Sequence, residues 1–269
     1  MSAPAPRRPR LLQVRQIVDI TPSLRRITLH SDELADYPDA QGGAHIKLMF
    51  AQPGQAHPVL PELTERGPRW ADPASKPVMR TFTLRALRRE RGELDVEFAL
   101  HGGTGPAARF IEQVKPGDWL GLSAPGGPQP MLPPARRYYL AGDLTALPAI
   151  AALVSQLPAD ATGAIAVLVP TAADIQPLAL PAGIAIHWEV GGREQHGALQ
   201  QWFCLQASDA SNSHFWLAGE QDLVLPLRRH VRRTLGADRA HVYAVPYWRA
   251  GRSEEEYHDE RHEVMDAEA

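Results

Sequence analysis

The sequence predicts two domains, an N-terminal antiparallel β-barrel with one capping helix and a C-terminal α/β domain built on a parallel sheet. Between residues 11 and 133, short strands alternate in hydropathy every two residues and are separated by turn residues, as in a barrel. From residue 134 to 252, apolar strands alternate with helices, which indicates a parallel sheet covered on both faces. The Pro- and Gly-rich residues 125–134 are the predicted linker, and residues 253–269 form an acidic tail.

Composition narrows the function classes. The chain has 269 residues, which suits two domains, and its net charge of −3 argues against nucleic acid as a partner. Its one cysteine, Cys204, excludes a disulfide within the chain and a cysteine-based zinc or iron–sulfur site. No segment approaches the roughly 18 apolar residues of a membrane span, and the N-terminus has no apolar signal region. We therefore expect a cytoplasmic protein without stable membrane association, by default a monomer.

The barrel pattern contains strand candidates, one helix and one long loop. The strands are predicted at residues 11–20, 24–30, 45–50, 78–86, 94–101 and 119–123. The helix enters through Pro106 and ends near residue 114, before a Lys-Pro-Gly-Asp turn. Residues 51–76, rich in Pro, Gly and charge, are predicted to be a surface loop.

The α/β pattern contains alternating strands and helices. The strands are predicted at residues 137–142, 164–170, 184–190, 214–219 and 241–247, and the helices at 146–157, 197–205 and 222–235. This alternation is typical of a nicotinamide-nucleotide domain, although no Gly-x-Gly-x-x-Gly is present.

One strand of the barrel carries unusual residues for a core. Strand alternation predicts two faces, Arg80, Phe82 and Leu84 against Thr81, Thr83 and Arg85. The arginines could bind phosphate and the ring could stack on a planar ligand. The alternatives are strand-surface arginines, with a half-buried salt bridge for Arg80, core packing for Phe82 and simple strand propensity for Thr83.

A Gly-rich turn follows the next strand and leads into the helix at Pro106. It comprises His101, Gly102, Gly103, Thr104, Gly105, Pro106 and Ala107. Glycines let the backbone approach a ligand, and a helix start offers free N–H groups to phosphate. We predict a dinucleotide held by its pyrophosphate; the alternative is a loop whose glycines only turn the chain.

Two further groups of residues follow strands of the α/β domain, at the sheet edge where ligands bind in such folds. Asp143 and Thr145 follow the first strand, and the alternative role for both is capping the next helix. Ala218, Gly219 and Glu220 end a later strand, and the alternative for Glu220 is a carboxylate opposing a helix dipole.

Motifs along the chain resemble, in the same order, those of the siderophore-interacting proteins, FAD-dependent ferric-siderophore reductases of the ferredoxin-reductase-like group. They are residues 80–85 with 101–107 (Arg-x-(Tyr/Phe)-Thr-x-Arg and His-Gly-x-x-Gly-Pro-Ala), 141–150 (Ala-Gly-Asp-Leu-Thr-Ala-Leu-Pro-Ala-Ile), 218–220 (Ala-Gly-Glu) and 247–251 (Tyr-Trp-Arg-x-Gly). The resemblance covers residues 11 to 252. Phe82 replaces the usual tyrosine, which removes a hydroxyl toward the ribityl chain, and Leu144 replaces a glutamate.

The resemblance implies a cofactor and a substrate. It assigns FAD to the barrel, NADPH or NADH to the second domain, and Fe(III)-siderophore as the substrate that is reduced to release Fe(II). The cofactor residues it implies are Arg80, Thr81, Phe82, Thr83, Arg85, the seven residues 101–107, Asp143, Thr145, Ala218, Gly219, Glu220, Tyr247 and Trp248. Arg249 and Arg252 would meet an anionic ferric chelate, although residues 247–252 could equally anchor the tail.

Several points stay open at this stage. No side chain is required as an acid or base, and no protein-bound metal is expected, because the histidines, including His258 and His262, show no metal-binding motif. The alternatives are a flavin reductase that releases reduced flavin and a non-redox ferric-siderophore carrier. The sequence leaves open the siderophore class, the docking of the tail, and NADH, NADPH or ferredoxin as donor, although Arg193 or the Arg228–Arg229 pair could bind a 2′-phosphate.

Overall fold

The computed structural model of the chain describes residues 7–65, 67–102, 105–257 and 260. The chain divides into two compact units, Met1–Met131 and Leu132–Ala269.

The first unit is an antiparallel β-structure with one α-helix. Its elements are β1 Arg10–Thr21, β2 Leu24–His30, β3 His45–Phe50, β4 Glu62–Thr64, β5 Gly67–Arg69, β6 Val78–Thr83, β7 Ala86–Arg88, β8 Glu93–Ala99, α1 Pro106–Gln113 and β9 Trp119–Leu122. Seven of the strands form one barrel-like sheet in the order β6-β3-β9-β1-β2-β8-β7, and β4 pairs with β5. The predicted antiparallel class and single helix are confirmed.

Alternating apolar residues build the core of this unit. Leu12, Ile27 and Val96 are fully buried on the inner face of their strands. The helix α1 packs on the same core through Ile111 and through Phe110, whose ring meets Phe50 edge-on at 5.4 Å. The position of the helix start is therefore fixed by aromatic contacts with the sheet.

One predicted boundary in this unit was wrong, and one predicted loop contains short elements. The strand predicted at residues 78–86 ends at Thr83, because the chain changes partners there. Leu84 N–H donates to Ala44 O at 2.8 Å, while Arg85 N–H donates to Asp95 O at 2.9 Å, so the chain passes from beside β3 to β8. The loop predicted at residues 51–76 contains the short hairpin β4–β5 and a 3₁₀ turn.

The second unit is a parallel α/β structure, as predicted. Its elements are β10 Arg137–Asp143, α2 Leu147–Val154, β11 Thr162–Val169, β12 Gly183–Val190, α3 His196–Gln206, β13 Ser213–Glu220, α4 Gln221–Arg229 and β14 Val242–Trp248. The sheet order is β12-β11-β10-β13-β14, with every pair parallel. The carboxyl ends of β10, β13 and β14 therefore lie side by side.

The helix predicted at residues 222–235 is shorter than expected. The helix α4 ends at Arg229 and continues as a π-helical turn, His230–Thr234. Pro226 lies inside α4 and has no N–H for the carbonyl of Asp222. The side chain of Gln200 supplies that hydrogen bond from α3 at 2.8 Å, so a neighbouring helix compensates for the proline.

A buried histidine in β13 is expected to make the free energy of unfolding depend on pH. His214 is 2% exposed, and within the described residues neither ring nitrogen has a hydrogen-bond partner. Burial, with a smaller contribution from the charge of His241, lowers its pKa to about 4. The unfolded chain takes up a proton as pH falls through about 6.5 while the folded protein does not. Stability is therefore expected to fall as pH drops from about 6.5 to 4, by ~3 kcal/mol in all.

We expect His214→Leu to raise the melting temperature at pH 5 and to flatten the pH dependence between pH 4 and 6.5. An apolar side chain of similar size removes both the unsatisfied nitrogens and the proton linkage. Melting temperatures at fixed FAD concentration between pH 4 and 7.5 measure this. The exposed His57, changed to Gln, serves as the control. An unaltered slope in His214→Leu would contradict the assignment.

Candidate functional site

The start of α1 is open and suited to an anion. The helix begins at Pro106, and Gly105 before it offers no side-chain acceptor to the first-turn N–H groups. A Cβ placed on Gly102 or Gly105 would meet no heavy atom within 4 Å, so space adjoins both backbone positions. Gly102 has φ +65°, a conformation that glycine adopts without strain. His101 is exposed, and Gly103 and Thr104 lie outside the described residues.

The strand β6 presents an arginine and an aromatic ring on one face. Arg80 is half-buried and its Nη1 donates to Met79 O at 2.8 Å. The half-buried Phe82 ring lies against Phe98, with centroids 4.4 Å apart and planes tilted by 45°. One side of this ring is therefore held by the core, and its accessible part could stack on a planar group.

The other face of this strand is less accessible than its polarity suggests. Thr81 is exposed, whereas Thr83 is only 7% exposed. Arg85 Nε lies 3.4 Å from the carboxylate of Glu97, which also accepts a 2.9 Å hydrogen bond from Arg26. The Glu97 side chain is 1% exposed, so both arginines neutralise a buried charge. The salt bridge predicted as the alternative for Arg80 is thus found at Arg85 instead of a free surface arginine, and contact of Arg85 with phosphate stays a prediction.

The residues of the first unit fit FAD. A diphosphate needs N–H donors and a cation, which the start of α1 and Arg80 provide. An isoalloxazine ring needs a flat apolar surface, which Phe82 provides. The open space beside Gly102 and Gly105 lets a ligand approach the backbone closely.

Asp143 joins the ends of three strands in the second unit. Its Oδ1 accepts hydrogen bonds from the N–H and hydroxyl of Thr145 at 2.8 and 2.5 Å. Its Oδ2 accepts from the Glu220 N–H and from Trp248 Nε1, both at 2.8 Å. Asp143 is 6% exposed, so its carboxylate oxygens accept hydrogen bonds from protein donors rather than from water. The capping alternative was wrong, because α2 begins at Leu147 after Ala146.

Gly219 leaves room for the Asp143 carboxylate beside the backbone of β13. It has φ +127°, and a Cβ there would lie 2.8 Å from Asp143 Cγ. Any larger residue would push the carboxylate away from its donors. Ala218 before it is fully buried in the sheet. Both residues therefore shape the edge at which a nucleotide is predicted to bind.

Glu220 caps the helix α4, as its alternative role predicted. One carboxylate oxygen accepts the Asp222 N–H at 2.5 Å, and the other accepts the Ala250 N–H at 3.2 Å. The exposed Arg193 lies near the same helix start, with Nη2 3.1 Å from Asp222. Glu220 therefore links β13 to the segment after β14, and contact with a nucleotide stays a prediction for it.

The described residues of the acidic tail, 253–257 and 260, make contacts that hold them to the rest of the second unit. Ser253 and Glu256 form a capping box, with N–H groups donating to Glu256 Oε2 at 2.9 Å and to Ser253 Oγ at 3.3 Å. Tyr257 is 2% exposed, and Glu260 forms ion pairs with both Arg249 and Arg252. His258 and His262 lie outside the described residues.

The aromatic residue before Trp248 packs inward. The ring of Tyr247 meets Trp216 edge-on, with centroids 6.4 Å apart. Of the two alternatives for residues 247–252, the anchoring one accounts for the contacts of Tyr247 and of the tail. Recognition of a chelate by Arg249 and Arg252 stays a prediction.

Within the described residues, no group of three or more His, Cys, Asp and Glu side chains could hold a metal ion. None of the helices in the described part of the chain has the length and hydropathy of a membrane span.

Sequence reasoning missed Glu97 and Glu260, the partners of the predicted ligand arginines. Neither acid belongs to a motif, and only spatial proximity connects each to its arginines. Apart from the density of acids in the tail, the sequence carries no signal for these pairs.

Comparison with known proteins gives a consistent result for both units. Residues 13–129 match the siderophore-interacting FAD-binding domain, and residues 135–251 match the siderophore-interacting protein domain. The chain is 35% identical over 265 residues to ferric vibriobactin reductase ViuB of Vibrio cholerae, covering 97% of this chain and 96% of the relative.

Solved structures agree with this assignment. The siderophore-interacting protein SipS from Aeromonas hydrophila superposes with a TM-score of 0.88 at 56% identity, covering 97% of this chain and 99% of that one. Ferredoxin-NADP+ reductase from Plasmodium falciparum shares the fold, with a TM-score of 0.63 at 12% identity and coverage of 89% and 96%. The chain therefore belongs to the siderophore-interacting protein family and has the ferredoxin-reductase-like fold.

Proposed function

We propose that this protein is a flavin-dependent ferric-siderophore reductase, which passes electrons from NADPH or NADH through FAD to Fe(III) held by a siderophore. The observation that carries the proposal is that the first unit has both an open start of α1 and the Arg80 and Phe82 face of β6, linked through the Phe82–Phe98 and Phe98–Phe110 ring contacts. These provide a diphosphate site and a stacking surface, which together are the requirements of FAD.

FAD, when bound, accepts a hydride and releases electrons singly, which a one-electron acceptor such as Fe(III) requires. The protein supplies position and charge. Arg80 and the first-turn N–H groups of α1 counter the diphosphate, and Phe98 holds the Phe82 ring against which the flavin packs. Phe110 ties α1 to the same aromatic cluster, so the phosphate site and the stacking surface keep a fixed spacing.

In the second unit, the edge formed by the ends of β10, β13 and β14 is the proposed nucleotide site. Gly219 lets the Asp143 carboxylate approach the backbone of β13, and this contact shapes the edge. Asp143 holds Trp248 and Thr145, and Glu220 holds the segment after β14. These carboxylates therefore act as positioning residues for the site.

The ferric chelate is the substrate. Hard oxygen ligands hold Fe(II) more weakly than Fe(III), so reduction favours release of the metal. Arg249 and Arg252 offer the positive charge for an anionic chelate, in the segment that follows Trp248. The reaction needs no side chain as an acid or base.

The electron donor indicates the cellular location. Because NADPH and NADH are cytoplasmic metabolites, we place the protein in the cytoplasm. We expect it to act as a monomer, without stable membrane association or nucleic-acid partner. Gel filtration with light scattering would check the first expectation, and fractionation of cells the location.

We expect purified protein to show an oxidised-flavin spectrum that bleaches on anaerobic addition of NADPH. Adding ferric siderophore should restore the spectrum while an Fe(II) trap colours in step. Bleaching without recovery would instead indicate a reductase that releases reduced flavin. A protein that is colourless and takes up no FAD would contradict the proposal and favour a non-redox carrier.

A further inference from the structure

One carboxylate of the tail sits between the two arginines that are proposed to receive the substrate. Glu260 Oε1 contacts Arg249 Nη1, and Glu260 Oε2 lies 3.6 Å from Arg252 Nε. Each Glu260 oxygen therefore faces a different guanidinium, the arrangement in which arginines bind a carboxylate ligand. The side chains are 37%, 50% and 27% exposed for Arg249, Arg252 and Glu260, so solvent and solutes reach the cluster.

Both partners of this contact are anchored to the body of the second unit. The arginine segment is held by the Ala250 N–H, which donates to Glu220, and by the Arg252 N–H, which donates to Arg249 O at 3.2 Å. The tail is held by the buried Tyr257, three residues before Glu260. Glu260 thus stays at high local concentration beside the arginines without being locked to them.

The ion pairs of Glu260 with the two arginines are weak enough for a ligand to displace the carboxylate. Exposed ion pairs contribute little to stability, because water screens the charges and the side chains lose freedom. A ligand with several anionic oxygens gains more from two guanidinium groups than one carboxylate does. Such a ligand can therefore displace Glu260, whereas an uncharged ligand gains nothing from doing so.

We propose that Glu260 is a built-in competitor of the substrate. It occupies Arg249 and Arg252 in the free protein and leaves them when a negatively charged ferric chelate binds. This rests on the proposed function, and it names anionic chelates, such as tris-catecholates, as the substrate class that the site favours. The nucleotide phosphates share this oxygen chemistry, and the test separates the two sources.

The test compares Glu260→Gln with wild type, using two iron complexes of different charge. For the trianionic ferric tris-catecholate complex we expect KM to fall about fivefold at unchanged kcat, the size of a weak exposed pair. For an uncharged ferric trihydroxamate and for NADPH we expect no change in KM. The gain should shrink at high salt, since exposed charges are screened. Glu268→Gln, which removes the same charge from the same tail, is the matched control.

Three results would overturn the proposal. The first is an unchanged KM for the trianionic complex in Glu260→Gln. The second is an equal gain in Glu268→Gln, which would show only a net-charge effect. The third is a lower KM for NADPH alone, which would assign the arginines to the nucleotide. In the double variant Glu260→Gln with Arg249→Gln, the gain should vanish.

Direct binding keeps this proposal separate from the proposed function. Binding of the ferric tris-catecholate complex, followed by equilibrium dialysis, should tighten about fivefold in Glu260→Gln whether or not the protein turns over. Tighter binding without iron reduction would contradict the reductase function and support the competitor role of Glu260. Iron reduction by wild type, with equal binding in both proteins, would support the reductase function and contradict the competitor role.

Discussion

Asp143→Asn is expected to lower the free energy of unfolding of the second unit by about 3 kcal/mol. Asparagine keeps one carbonyl oxygen but turns an NH₂ group toward either the Thr145 donors or those of Glu220 and Trp248. At this buried position no water can relieve the facing donors. The ends of β10, β13 and β14 should separate, and KM for NADPH should rise more than kcat falls.

Hydrogen exchange of the Glu220 amide and thermal unfolding of the apoprotein measure this effect. Asp209→Asn is the matched control, because Asp209 pairs with Arg137 but its side chain is 48% exposed. An equal loss of unfolding free energy in the two variants would contradict the role of Asp143 in joining the ends of the three strands. Trp248→Phe removes one donor, so its combination with Asp143→Asn should show a coupling energy of ~1 kcal/mol.

Local sequence patterns predict the fold well where each strand sees a uniform environment. Strands β10 and β13 read as continuous apolar runs because the parallel sheet buries both their faces. The strand β6 was extended too far because its alternation continues through Arg85, although the chain has already moved to β8. The two-residue alternation of hydropathy does not change where the chain moves from one partner strand to another.

Local rules predict where ligands should bind, but they do not predict the contacts that the residues there make. Glycines, the helix start at Pro106 and residues at strand ends point to ligand-binding edges by local rules. The donors to Asp143 Oδ2 come from residues 77 and 105 positions away, and no local rule reaches that far. For the same reason a motif arginine such as Arg85 could not be separated from a salt bridge before Glu97 was placed beside it.

Arg80→Gln is expected to weaken FAD binding about 30-fold, the effect of losing one charge-assisted contact to a diphosphate. Glutamine keeps polarity and some length but cannot offer a cationic fork. The Kd follows from titration of apoprotein with FAD by quenching of flavin fluorescence. The melting temperature of the apoprotein should stay near wild type, because Arg80 is only half-buried and its Nη1 donates to a carbonyl of the neighbouring residue, Met79.

Arg80→Lys separates charge from geometry at the same position. Lysine keeps the positive charge without the planar fork, so its Kd should lie between those of wild type and Arg80→Gln. Arg91→Gln removes an exposed arginine from the same unit and should leave the Kd unchanged, which controls for net charge. If Arg80→Gln binds FAD as wild type does, the diphosphate is held by the start of α1 alone. A loss as large in Arg91→Gln would mean that general positive charge, rather than Arg80, attracts the cofactor.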